Sequence, residues 1–284
     1  MPLARLLIGA RRSEVCPVSL QKCSKRPLRA RRLHQAAILL DVFKPVHVVA
    51  RRGDDSLSCT HMMSGSAKHR RYVAVYPVAL FVAWVAAWIV NLALRSRTGW
   101  DTHTDTVYWI SMKVIVWILP AVLAIRLLER APVGEFMALR RPGLGLLWGL
   151  GVGVLLVAVN YLGKTLPSHT TLHTPQLSLV FVNAVVVAPL VEEITLRGFL
   201  LKRFELNGQS FWRANALTTV VFVAMHLPGW YFQGRTTTLI GFAQRAAPLA
   251  VLSLLFGWTK KRSGSLYGAI VLHAINNLYS AMFP

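Results

Sequence analysis

Apolar residues along this chain fall into long runs separated by short polar stretches. Residues 72–94 hold 23 positions without a charge, enough to cross a bilayer as a helix. Residues 107–125 form a second run, interrupted by Lys113, and residues 143–163 a third. Residues 177–200 form a fourth, which contains charges, and residues 212–229 a fifth, with Arg213 at its start. Residues 239–258 form the sixth and weakest, because Arg245 sits inside it, and residues 265–283 the seventh. The pattern predicts an all-α fold: a polytopic transmembrane helical bundle of about seven spans. Gly145, Gly149 and Gly153 recur every four residues in the third run. That spacing lets two helices approach closely.

The first 71 residues differ. They lack helix or strand periodicity of useful length, and the apolar run from Leu6 to Ala10 is short for a signal-peptide core. They carry 15 Lys and Arg against 4 acids. The leading expectation is a disordered basic cytoplasmic tail. A translated upstream stretch with the start at Met62 or Met63, and an organelle transit peptide, are the other readings. Lys68, His69, Arg70 and Arg71 form a basic cluster just before the first apolar run, of the kind that stays on the cytoplasmic side. Cys16, Cys23 and Cys59 match no zinc-knuckle spacing.

Composition narrows the class. The net charge is +21, yet 54% of residues are hydrophobic and only 15% are charged. A nucleic-acid-binding domain would be densely charged, so no nucleic-acid partner is expected and the lipid bilayer takes its place. Residues 126–142, 201–213 and 259–264 hold ten Lys and Arg; the alternate loops hold four. The positive-inside rule then places the N-terminus in the cytoplasm, with the plasma membrane as the site if the source is bacterial. Trp100, Trp212, Trp230 and Trp258 fall near span ends, where interfacial aromatics belong.

Acidic residues are the rarer and more informative charge. Of eleven, only Glu192 and Glu193 lie inside an apolar run, and of nine histidines only His226 and His273 do. Ionisable groups inside a membrane cost roughly 2.5 kcal/mol or more each and mark functional sites. Glu193 and Arg197 are four apart and share a helix face, so they can pair. Glu192 points about 100° away, so it can face a different cavity. One carboxylate can therefore be structural while the other works as a base. Phe222 and His226, and His273 and Asn277, are two further i,i+4 pairs. Asn277 can fix the His273 ring or help hold an oxyanion. A glutamate with two histidines can bind a metal or activate water. No HExxH occurs, no Asp lies in an apolar run, and no GxSxG, P-loop or dinucleotide fingerprint is present.

Glu192-Glu193-x-x-x-Arg197, Phe222-x-x-x-His226 and His273-x-x-x-Asn277, in this order, resemble the three motifs of the CAAX protease and bacteriocin-processing family of intramembrane metalloproteases. That family includes the type II CAAX prenyl endopeptidases. Arg262-Ser263-Gly264-Ser265-Leu266 looks like the lead-in to its last motif. The resemblance covers residues 177–284. It implies an endopeptidase acting on membrane-associated protein or peptide substrates, with Glu192 as the general base. It implies that His226 and His273 hold water or a metal, Asn277 orients or holds the oxyanion, and Glu193, Arg197 and Phe222 support them. It leaves two routes open: a divalent metal, zinc being the candidate, on His226, His273 and Glu192, or a metal-free mechanism in which the glutamate activates water.

The domain reading is a basic disordered leader over 1–71, N-terminal transmembrane helices over 72–176 and a catalytic core over 177–284. Two rival classes share features with this pattern. A non-catalytic membrane scaffold or regulator would keep the same fold, but no site residue is replaced. A proton-coupled transporter would show matching halves, and none is visible.

Overall fold

The charge-free run that begins at Tyr72 is helical from Ala67 to Thr98 (α1). Its inner face repeats at three- and four-residue steps through Val73, Tyr76, Leu80, Trp84 and Trp88, all buried. Val75, Val78, Val82 and Ile89 on the other side are exposed. An apolar outer face is what a lipid environment requires, since tails solvate it without the penalty water would impose. Gly99, at φ +56°, ends the helix in the left-handed conformation.

The computed structural model describes residues 67–235 and 238–283, all within the unit Ser58–Pro284. The readings of the leader and the three cysteines lie outside the described residues. The last five leader positions already belong to α1.

Seven more helices follow among the described residues: α2 (Thr102–Glu129), the short α3 (Val133–Phe136), α4 (Pro142–Asn160), α5 (Leu179–Leu206), α6 (Phe211–Phe232), α7 (Leu239–Ser263) and α8 (Leu266–Met282). No strand occurs among them. The chain is therefore the expected helical membrane bundle. Several ends move outward from the hydropathy runs. α2 starts at Thr102, not residue 107, because Asp101 Oδ1 caps it by accepting from Thr104 N at 2.7 Å.

Five helices are long and apolar enough to cross a membrane: α1, α2, α4, α5 and α7. The expected fifth and seventh spans are helices too, but differ in kind. α8 has 17 residues, about 25 Å at 1.5 Å per residue, against a hydrocarbon core of about 30 Å. α6 buries Asn215, Thr218 and Thr219, which dilute its hydropathy. The buried stripe of α7 is also polar: Ser253, Thr259, Lys260 and Ser263. Arg245, the oddity of the sixth run, is exposed and donates from Nε to Arg235 O at 3.1 Å, so it reaches the preceding loop.

The glycine stripe of α4 explains how α8 is held. A Cβ built on Gly145, Gly149 or Gly153 would lie 2.8, 2.7 or 2.5 Å from Ser265, Val271 or Ile275. All three neighbours belong to α8 or its N-cap, so α4 sits against the helix that carries His273. Gly264, at φ +63°, turns the chain directly from α7 into α8. Leu266 N then donates to Ala138 O at 3.0 Å, fixing the start of α8.

Gly149→Leu should lower stability by about 1–3 kcal/mol or more through overpacking. Gly151→Ala, whose Cβ would meet nothing within 4 Å, should not. Thermal unfolding of the two variants in detergent checks this; equal midpoints would contradict the packing.

Candidate active site

The central helix, α5, is not uniform. Pro189 has no N–H to donate and its ring crowds the carbonyl four residues back. The preceding residues, Asn183–Val187, form a wide π turn. A second π turn follows at Ile194–Leu200. Glu192 and Glu193 lie at the end of the α-helical segment between them, Ala188–Glu193. Such turns insert a residue and leave a carbonyl to be satisfied from outside. Here Arg197 O accepts from the buried Lys260 Nζ at 2.5 Å.

Glu193 is fully buried, and its Oε1 accepts from Arg197 Nη1 at 3.0 Å. Arg197, also fully buried, donates from Nη2 to Ser253 O at 2.8 Å and to Ser253 Oγ at 2.5 Å. Ser253 Oγ in turn contacts Thr219 Oγ1 at 2.8 Å. Two aromatic faces complete the cage: the guanidinium carbon lies 4.8 Å from the Phe222 ring centre and 5.4 Å from that of Phe256. Burial of two charges is tolerable only with this density of partners.

The same Glu193 oxygen meets His273 Nδ1 at 2.9 Å. A carboxylate only accepts, so Nδ1 carries the proton and Nε2 keeps a lone pair. The His273 ring lies flat on Phe256, with centroids 4.5 Å apart and planes 17° apart. Its Nε2 is 3.8 Å from Glu192 Oε2. That is too long for a direct hydrogen bond and suits two groups that share a water. Glu192, 12% exposed, is the more accessible carboxylate; Glu193 is sealed.

His226 is fixed the same way by a different acceptor. Its Nδ1 lies 2.8 Å from Phe222 O, a carbonyl, so the proton again sits on Nδ1 and Nε2 is free. Phe222 is fully buried and touches both histidine rings edge-on, at 4.8 Å from His226 and 5.9 Å from His273.

The structure thus brings Glu192, Glu193, Arg197 and His273 into one contact network, with Phe222 linking it to His226. Asn277 stands differently. Its Nδ2 donates to Ala184 O at 2.8 Å, in the first π turn of α5. Glu193, not Asn277, fixes the His273 ring. The expectation that Glu192 and Glu193 face separate cavities is also revised: both reach His273, one from each ring nitrogen. Ser253, Phe256 and Lys260 on α7 take part without having been singled out. Ser253 and Phe256 lie in the weakest apolar run, and Lys260, counted among the basic residues of the loop 259–264, is instead a buried residue of α7. No group of three His, Cys, Asp or Glu side chains is gathered as a metal site among the described residues.

Residues 174–279 match the family described as type II CAAX prenyl endopeptidase Rce1-like. Over this segment the chain is similar to that family. The resemblance drawn from the three motifs is borne out, and the match contains every site residue named above, from Glu192 to Asn277. It spans a little over a third of the chain. No curated protein and no solved structure matches the chain. Rce1-like proteins are a protease family, which supports peptidase chemistry, and five apolar helices fit an integral membrane protein.

Arg197→Met leaves Glu193 buried without its cation and should cost about 3–5 kcal/mol of stability. The unfolding midpoint in detergent reports it; an unchanged midpoint would show that the pair is not structural.

Proposed function

We propose that the chain is an intramembrane endopeptidase that hydrolyses peptide bonds of membrane-associated protein or peptide substrates with a water activated by Glu192. The observation that carries this reading is the pair of contacts at His273: Nδ1 on Glu193 at 2.9 Å, and Nε2 at 3.8 Å from Glu192 Oε2. A water between Glu192 and Nε2 would be held by two acceptors, one of which can take its proton. We further propose a cytoplasmic N-terminus, from the ten-to-four bias of basic residues counted with all seven apolar runs as spans.

The roles then divide by what each group has left to give. Glu193 Oε1 already accepts from Arg197 and His273, so Glu193 positions. Glu192 is free to accept the water proton while the hydroxide oxygen bonds to the scissile carbonyl carbon. The carbonyl oxygen becomes an oxyanion. Asn277 Nδ2 spends one hydrogen on Ala184 O and has a second to donate to it. Glu192 returns its proton to the amine as the C–N bond breaks. His226 Nε2 is a further acceptor that can orient water or substrate N–H.

A divalent metal, zinc being the sequence candidate, would take His226 Nε2, His273 Nε2 and Glu192. Both Nδ1 contacts favour it, because ligating imidazoles donate from the other nitrogen to a carbonyl or carboxylate. When bound, it would acidify water and polarise the carbonyl. Since the three side chains are not gathered as one ligand set, the steps above use the chain's own residues. Metal analysis with and without chelator decides: stoichiometric metal whose removal abolishes cleavage supports the metal route.

Glu192→Gln should lower cleavage of a membrane-associated peptide by about 10²- to 10⁴-fold with little change in stability. Full cleavage by this variant would remove Glu192 as the base; loss of cleavage with full rescue of a deletion phenotype would favour the scaffold reading.

A further inference from the structure

Lys113 is the interruption in the second apolar run, and nothing in the proposed reaction uses it. It lies on α2 at the start of the π turn Lys113–Ile118 and is half-buried. A lysine within a span is costly unless it has partners or work. Its Nζ donates to Asn183 Oδ1 at 2.8 Å. Asn183 opens the first π turn of α5, the same turn whose Ala184 O takes the Asn277 hydrogen. The Lys113–Ile118 turn packs against Ala188–Glu193, the segment that ends in the two glutamates.

These contacts set the ammonium beside the site without closing it off. A dedicated counter-ion for Glu192 would form a direct ion pair. Lys113 bonds instead to a neutral amide oxygen, and Glu192 meets His273 Nε2 at 3.8 Å. An ammonium has three hydrogens and Asn183 takes one. Lys113 and Asn277 therefore flank one turn of α5, each with hydrogen-bonding capacity to spare. Asn277 faces the developing oxyanion in the reaction proposed above. Lys113 offers a full positive charge to a group further along the same bound chain.

We propose that Lys113 is a specificity residue that binds a carboxylate of the peptide lying in this site. The inference rests on the reading of α5 and α8 as a peptide-hydrolysing site. The carboxylate is either the C-terminal one of the bound chain or an acidic side chain near that end. In a low-dielectric setting a charge-assisted contact of this kind discriminates strongly against a neutral isostere.

The test reads binding separately from cleavage. Fluorescein-labelled apolar peptides are prepared as a free acid and as a carboxamide, and as carboxamides bearing one Glu or one Gln near the C-terminus. Binding to the full-length protein in detergent is followed by anisotropy, alongside cleavage. Wild type should bind a carboxylate-bearing peptide roughly tenfold or more tightly than its neutral twin. Loss of that ratio in Lys113→Gln, with carboxamide binding kept and the ratio partly kept in Lys113→Arg, supports the proposal. Preference on the acid–amide arm identifies the C-terminal carboxylate; preference on the Glu–Gln arm identifies a side chain. No carboxylate preference in wild type, or one that survives Lys113→Gln, overturns it. Binding that follows this pattern while Glu192→Gln still cleaves would instead remove Glu192 as the base and leave the Lys113 subsite standing.

Discussion

One carboxylate oxygen, Glu193 Oε1, takes hydrogen bonds from Arg197 Nη1 at 3.0 Å and His273 Nδ1 at 2.9 Å, and the rest of the site depends on that sharing. The Arg197 contact gives the fully buried carboxylate a counter-charge, and the same oxygen accepts from His273 Nδ1. The lone pair of His273 is thereby turned towards Glu192. A neutral acceptor in place of Glu193 would leave Arg197 buried without its counter-charge and the ring without a strong orienting partner. Stability and chemistry meet in this atom, so a substitution there affects both at once.

The surroundings protect the arrangement in physically distinct ways. Ser253 and the Phe222 and Phe256 rings surround the guanidinium, so Arg197 has little freedom to leave. Phe256 also lies flat on the His273 ring and limits its tilt. Behind His273, the glycines of α4 let α8 come close enough that a single Cβ would collide with it. The spacing of α4 and α8 is thus a property of missing side chains. It matters for the chemistry because a shift of α8 would move His273 relative to both glutamates.

Local relations were legible in the sequence, and distant ones were not. Glu193–Arg197 and Phe222–His226 are i,i+4 pairs, and helical geometry alone brings them together. His273 and Glu193 are 80 positions apart, and Asn277 and Ala184 are 93. Nothing in spacing specifies such pairings; the three-motif resemblance pointed to the residues but not to which held which. The 100° step between Glu192 and Glu193 suggested separate cavities because it ignored the third party. An imidazole presents nitrogens on two edges, so adjacent residues on one helix can each reach one. Five of the seven expected spans are long and apolar enough to cross a membrane. Hydropathy finds helices that face lipid, and α6 and α8 are the elements whose composition serves the interior or whose length is short.

That last point bears on how water-dependent chemistry fits into an apolar protein. α1 presents valines and an isoleucine outward and aromatics inward, as a lipid-facing wall should. α6 and α7 reverse the usual soluble pattern: their buried stripes carry Asn215, Thr218, Thr219, Ser253, Thr259 and Lys260. Each of these groups needs a partner, and the partners are largely carbonyls within the bundle: Ala214 O for Thr218, Leu254 O for Asn215, Leu255 O for Thr259 and Arg197 O for Lys260. The polar interior is therefore mostly spent on itself. Glu192, with its 3.8 Å separation from His273, and the two Nε2 atoms keep acceptor capacity at the site, and Glu193 Oε2, Thr195 Oγ1 and Arg197 Nε beside them are also without a hydrogen-bond partner. In a medium that penalises unsatisfied polar groups, acceptors left open beside a sealed ion pair mark the place where water and a peptide carbonyl can be received.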